Sequence, residues 1–384
     1  MKICAIICEY NPFHNGHEHL IRQAKELTNA DAILCIMSGN FVQRGEAAIL
    51  SKFERAKHAV LCGADVVIEL PTVFATSNAE IFADGAIALL STIPEVTHLC
   101  FGAELANRNL FLHAATALLN EPKEVTEMVK RLTSEGVGYA QAIATARAQV
   151  ADERLFQSPN NILGIEYTKA ILRRKAKIDI LPIQRIGSGY NQTSLSGEYA
   201  SASAIRMEIF NGNFDNLSVF LPQCVLECLP NCNLINLDSY EKLAILQKTP
   251  QDLAQVLDCT EGLENAFWKA AQQVQPLEQT LTSPRYTSSR IRRIALQNLL
   301  GITEQIIRDC QTAPLYLTPL CYRAQKTDVL TALSKASIPF LSCGKNQRNL
   351  SAIAKICKEI DEHAQRLYAL LVNQVLENKP IIIH

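Results

Sequence analysis

The chain has almost no net charge. Its 37 lysines and arginines face 38 aspartates and glutamates, a formal net charge of -1 over 384 residues. This excludes a wholesale polyanion binder, although a local basic face can sit inside a neutral total. No uninterrupted apolar stretch is long enough to span a membrane. Met1 to Glu9 lacks a basic n-region followed by a long apolar core, and there is no internal repeat or low-complexity tract. Cysteine is plentiful, but thirteen is an odd count, and Cys4, Cys35 and Cys100 lie in apolar strand-like runs. These read as reduced, mostly buried thiols of a cytoplasmic protein. Cys224, Cys228 and Cys232 follow one another with Pro230 among them, a spacing that matches no zinc pattern, so no metal is expected there.

Two periodicities alternate over the first hundred residues. "KICAIIC", "DAILCIM", "DVVIELP" and "VTHLCFG" are short apolar runs without alternation, and "GHEHLIRQAKELT", "SKFERAKHAVLCGA" and "SNAEIFADGAIALLSTI" have helical spacing. Buried strands separated by helices predict an α/β fold with a parallel sheet covered on both faces. A further strand is expected at "KIDILPIQR". Composition changes near "GNFDNLSVFLP", which places a boundary between a first domain, 1–212, and a mostly helical second one, 213–384. Within the latter, "APLYLTPLCYRAQKTDVLTALSKASIPFLSC" reads as a small α/β unit.

"CEYNPFHNGH" closes the first strand and enters the first helix, where an α/β fold exposes backbone N–H groups to an anion. Gly16 allows close approach of a phosphate to the backbone. His14 and His17 can each donate a hydrogen bond to phosphate oxygens, with protonation near neutral pH adding charge. The same spacing also suits a plain Asn11-Pro12 turn with surface histidines. Arg44 lies in a loop between Gly39 and Gly45 after the second strand; Lys52 and Arg55 follow and are available for an anion or as a solvated helix face. Glu69, at a strand end, is left outside the site. His19, His58, His98 and His113 read as satisfied core or surface residues.

Wider stretches carry a resemblance. His14-Asn15-Gly16-His17 resembles the HxGH signature of the HIGH-type nucleotidyltransferases, which have a Rossmann-like domain that binds ATP. "EYNPFHNGH", "SGNFVQRGEAAILSKFERAKHAV", "GADVVIELP", "FGAE", "SPNNILGIEY" and "SASAIR", in this order from about residue 3 to 207, are similar to one branch, the tRNA(Met) cytidine acetate ligases. "SPRYTSSRIRRIALQNLL" resembles that family's later arginine-rich segment.

The resemblance implies an enzyme that uses ATP, with Mg, to activate acetate as acetyl-adenylate, releasing pyrophosphate. The acetyl group then passes to the exocyclic amine of the wobble cytidine of elongator tRNA(Met). By family likeness Ile7, Glu9, Tyr10, Asn11, Pro12, Phe13, His14, Asn15, Gly16, His17 and Leu20 wrap ATP. Gly102 lets the nucleotide lie against bare backbone, Asn160 or Asn161 and Arg185 with Ile186 meet the nucleoside, and Ser203 and Arg206 meet the leaving group. His14, His17, Arg44 and Arg206 are the expected catalytic set. Two basic clusters are candidate RNA surfaces: Lys169, Arg173, Arg174, Lys175 and Lys177, and Arg285, Arg290 and Arg293 with Tyr286. Helical spacing puts Arg290 and Arg293 on one face and Arg292 elsewhere. A small-molecule adenylyltransferase and a non-catalytic RNA-binding protein are the alternatives.

Overall fold

The computed structural model describes residues 1–185, 199–341, 349–375 and 379–384. Its strands are β1 (Ile3–Cys8), β2 (Ala32–Ser38), β3 (Phe41–Val42), β4 (Glu46–Ala47), β5 (Val66–Leu70), β6 (Val96–Ala103), β7 (Asp179–Gln184), β8 (Pro319–Arg323) and β9 (Ile381–Ile383). Seven of them form one sheet in the order β7-β6-β1-β2-β5-β8-β9, and β3 and β4 make a small antiparallel hairpin. From β7 through β5 all pairings are parallel. Every residue of β2 and β5 is buried, as expected for strands covered on both faces.

The strand order reverses at β1. From there the chain steps one way to β2 and β5, and later the other way to β6 and β7. The crevice between the carboxyl ends of β1 and β6 is therefore the topological switch point, where open α/β sheets bind ligands.

The α/β unit expected around residues 313–343 is not a separate one. Its strand, β8, pairs antiparallel with β5, and β9 pairs parallel with β8, so residues beyond 212 complete the main sheet. The rest of this half is mostly helical. Helices Asp238–Leu246, Leu263–Ala270, Leu277–Leu281 and Ser288–Leu300 enclose a small core of their own that includes Ile245, Phe267, Leu277 and Ile291. Helix Ala352–Leu371 is tied to the sheet by Asp361, which accepts hydrogen bonds from the Thr72 N–H (2.7 Å) and the Tyr316 hydroxyl (2.6 Å).

Candidate active site

The loop after β1 is shaped by its backbone. Tyr10 adopts a left-handed conformation (φ 51°), and the Asn11–Pro12 peptide is cis. Tyr10 and Phe13 are buried, with ring centroids 4.8 Å apart. Helix Asn15–Thr28 then begins with His14 as its N-cap, where Ser, Thr, Asp or Asn is usual. The His14 Nδ1 accepts from the Gly16 N–H at 3.1 Å, and the His17 Nδ1 accepts from the His14 N–H at 3.3 Å. This is a capping box built from two imidazoles.

The box fixes the chemistry of both rings. An Nδ1 that accepts a hydrogen bond carries no proton, so the neutral rings hold theirs on Nε2 and keep it available as a donor. Burial, then the Arg185 charge, pushes the His14 pKa down to about 3. Burial, the neighbouring His14 and Arg185 also hold His17 well below the usual histidine range. The expected protonation near neutral pH is thus corrected: in the free protein these are neutral donors. Gly16 also has a more local reason than phosphate approach. A Cβ there would meet His14 Cε1 at 3.0 Å and Nδ1 at 3.1 Å.

These rings line a cavity of about 660 Å³ at the switch point. Ile7, Glu9, Tyr10, Asn11, His14, Gly16, His17, Leu20, Arg44, Gly102, Asn160, Arg185, Ser203 and Arg206 all contribute to its wall. Pro12, Phe13 and Asn15 shape the loop from behind: Phe13 is fully buried, and Asn15 donates to the Val219 carbonyl at 2.9 Å. Asn161, 1% exposed, accepts from the Glu104 and Leu105 N–H groups and so braces the loop after β6 instead of facing the cavity. Ile186 lies outside the described residues.

Arg206 donates to the Asn11 carbonyl at 2.7 Å and to the Ser203 hydroxyl at 3.3 Å, which ties helix Ala202–Phe210 to the β1 loop. Among the described residues, five arginines line the cavity (Arg44, Arg185, Arg206, Arg292 and Arg293) against two carboxylates, Glu9 and Glu46. Such an excess of positive charge within low-dielectric walls suits a polyphosphate.

Lys52 and Arg55 are not part of this wall. Lys52 is buried against both oxygens of Glu69, at 2.7 Å each. Arg55, fully buried, donates to the Leu50, Glu9 and Gly39 carbonyls and so clamps the loops after β1 and β2. Both charges serve the fold.

The family model described as HIGH Nucleotidyl Transferase matches residues 1–380. The tRNA(Met) cytidine acetate ligase of Thermoanaerobacter sp. is 38% identical over 350 residues, covering 88% of this chain and 87% of its own. The chain belongs to this ligase family. Its counterpart from Alkaliphilus metalliredigens is 35% identical over 403 residues, covering 97% and 95%. Among solved structures, apo Thermotoga maritima TmcAL superposes with a TM-score of 0.92 at 28% identity, covering all of both chains. The same protein bound with alpha-thio ATP gives 0.89 at 27%, covering 100% of this chain and 99% of that one. The similarity therefore extends through the C-terminal half, where the motifs quoted above thin out.

Within this family member, two groups of residues went unassigned in the sequence. Glu104 accepts from Asn160 (2.7 Å) and from the Ser158 hydroxyl, and lies 3.4 Å from Arg185. It orients two cavity residues from one strand end, and "FGAE" was its signal. Arg292 was expected to face away from Arg293, yet both line the cavity. Arg292 pairs with Glu46 at 2.7 Å and donates to the Arg44 carbonyl at 3.2 Å. Arg290 turns to the Asp258 carbonyl (2.7 Å) and stacks over Tyr286, while Arg285 pairs with Glu261 at 2.8 Å.

In the other basic cluster three charges are paired with carboxylates, while Lys175 and Lys177 are exposed. Lys169 is buried against Glu166 at 2.8 Å, Arg173 pairs with Glu80 at 2.6 Å, and Arg174 pairs with Asp84 at 2.8 Å. These pairs join helix Pro159–Arg174 to helix Ala79–Leu90.

Proposed function

We propose that this chain is an ATP-dependent tRNA(Met) cytidine acetate ligase acting in the cytoplasm. Acetate attacks the α-phosphorus of ATP: a carboxylate–phosphorus bond forms and the bond to pyrophosphate breaks. The exocyclic amine of the wobble cytidine of elongator tRNA(Met) then attacks the acyl carbon, losing a proton and expelling AMP to leave N4-acetylcytidine. The observation that carries this reading is the paired-imidazole cap at the mouth of an arginine-rich cavity, in a chain that matches the ATP-analogue-bound neighbour over its whole length.

His14 and His17 supply Nε2–H donors, and Arg206 with Arg44 supplies charge, to phosphate oxygens as negative charge moves onto the pyrophosphate. Asn160, Arg185 and the bare Gly102 strand end receive the nucleoside. Arg285 and Arg290 flank Tyr286 on the helical side as phosphate and stacking contacts for tRNA.

Among the described residues the cavity offers magnesium no carboxylate cluster. Glu9 accepts from the Gln43 N–H at 2.7 Å, and Glu46 is engaged by Arg292. Magnesium arriving with ATP would depend on the phosphates and on water for its ligands.

The test is to incubate the protein with ATP, labelled acetate and bulk tRNA. Label entering tRNA only when ATP is present supports the ligase. Pyrophosphate release onto a mononucleotide acceptor, or tRNA retention without ATP turnover, overturns it.

A further inference from the structure

Between helix Lys52–Leu61 and the segment that carries Cys224 and Cys228, a cluster of donors has no part in the chemistry above. Glu54 and His58 lie four residues apart on that helix, and Cys62 caps its end one turn later. Facing them, Cys224 and Cys228 are likewise four residues apart, on the segment that follows Leu221. The carboxylate oxygen of Glu54, a ring nitrogen of His58 and the sulfur of Cys228 all lie within 4.8 Å of one another. His58 was expected to be a satisfied histidine, and it is not. Its side chain has no exposure, and although the ring lies close to the Cys224 backbone, neither nitrogen has a hydrogen-bond partner of good geometry.

A fully buried imidazole with both nitrogens unpartnered, aimed at a thiol and a carboxylate, is hard to explain as packing, because buried polar groups are normally bonded. Imidazole, thiolate and carboxylate are the three side-chain donors that zinc takes. The spacing fits as well. Tetrahedral zinc, with bonds of about 2.0–2.3 Å, holds neighbouring donors roughly 3.3–3.8 Å apart. Here Glu54 Oε2 lies 3.4 Å from Cys228 Sγ and 3.9 Å from His58 Nε2.

We infer that Glu54, His58 and Cys228 form a binding site for a zinc-class divalent cation. Binding forms a metal–sulfur bond, and the Cys228 thiol proton leaves to solvent. A water takes the fourth position; the neighbouring thiols of Cys62 and Cys224, with sulfurs 3.8 Å apart, stay outside the donor group. Glu54 is about one third exposed, which gives the cation a way in. Lys57, 3.7 Å from the same Glu54 oxygen and a little over one third exposed, would swing aside as the cation arrives.

The site would pin residues 224–228 to helix Lys52–Leu61. The chain just before that segment also supports the ATP loop, because the Asn15 N–H donates to the Phe220 carbonyl at 2.9 Å. The cysteine spacing carried no zinc signal because the ligands come from two segments about 170 residues apart, with one from each type of donor.

The experiment uses the full chain, stripped with chelator and dialysed against zinc or cobalt. One equivalent of zinc retained, a cobalt–thiolate charge-transfer band and a raised Tm are expected. Cys228→Ser should abolish the band, and it, Glu54→Gln and His58→Gln should each weaken zinc binding at least about tenfold. Cys259→Ser, in the separate helical core, should bind as the parent does. If His58→Gln misfolds, Cys228→Ser and Glu54→Gln decide. Retention of less than a stoichiometric amount of metal, or parental zinc affinity in those two variants, overturns the assignment.

Discussion

His14 and His17 stack with ring centroids 3.6 Å apart while each completes the other's half of one helix cap. The same hydrogen bonds that start the helix spend both Nδ1 atoms and leave both Nε2–H groups for a ligand. Structure and chemistry are thereby separable by substitution.

His17→Ala should lower acetate-dependent pyrophosphate release by about a hundredfold or more, the usual cost of one transition-state donor. Its tRNA affinity should be unchanged. His14→Asn keeps a good cap, so its stability should stay within about 0.5 kcal/mol of the parent, whereas His14→Ala should lose about 1 kcal/mol. Both should lose activity. A fully active His14→Asn protein would remove the ring from the mechanism.

The depressed histidines make a pH prediction with a definite sign. His14 is held down at about 3 and His58 at about 4, in each case mainly by burial, against roughly 6.5 in the unfolded chain. Between pH 6.5 and 4 the unfolded chain therefore binds more protons than the native one, and stability rises with pH. The contribution is complete above pH 6.5 and is lost as pH falls through that window, by up to about 1.4 kcal/mol per pH unit for each ring. Urea midpoints in chelator should drop between pH 7 and 5, less steeply in His14→Asn. Equal slopes for the two proteins would refute this.

Gly45 sits at φ +74° in the turn between β3 and β4, and a Cβ there would lie 2.5 Å from the Arg293 backbone nitrogen. That contact holds the Arg44 loop against the helix carrying Arg292 and Arg293. Gly45→Ala adds left-handed strain to a backbone clash, so a loss of about 2–3 kcal/mol in urea unfolding is expected. Pyrophosphate release should fall with it, because both sides of the cavity wall move. A stable variant of parental activity would show that the contact is dispensable.

The parallel strands were legible because each is a local apolar run: "AILCIMS" and "VVIEL" need no distant partner to be recognised. The stretch holding β8 was legible as α/β, but not its place in the main sheet, which depends on pairing with β5 some 250 residues earlier. The HxGH loop was legible as a distinctive turn, and it lines the cavity, but the burial and the Arg185 charge that lower the pKa values of its histidines were not. Asn160 and Asn161 are chemically identical neighbours at a helix start, where one step turns a side chain about 100°; only the fold says which faces the cavity. Lys169, Arg173 and Arg174 looked like an RNA patch because Glu80 and Asp84 lie about 90 residues away.

The second arginine group is where sequence and structure most sharply divide a prediction. Helical spacing paired Arg290 with Arg293, but Arg293 lines the cavity and Arg290 faces Tyr286. Arg285→Ala with Arg290→Ala should therefore weaken tRNA binding and reduce its logarithmic salt slope, by less than about 0.9 per phosphate contact removed. Acetate-dependent pyrophosphate release without tRNA should persist. Arg293→Ala should instead lower that release even with no tRNA present. If the double variant loses activation as well, its arginines serve the helical core that positions Arg292 and Arg293, and the tRNA surface must be sought elsewhere.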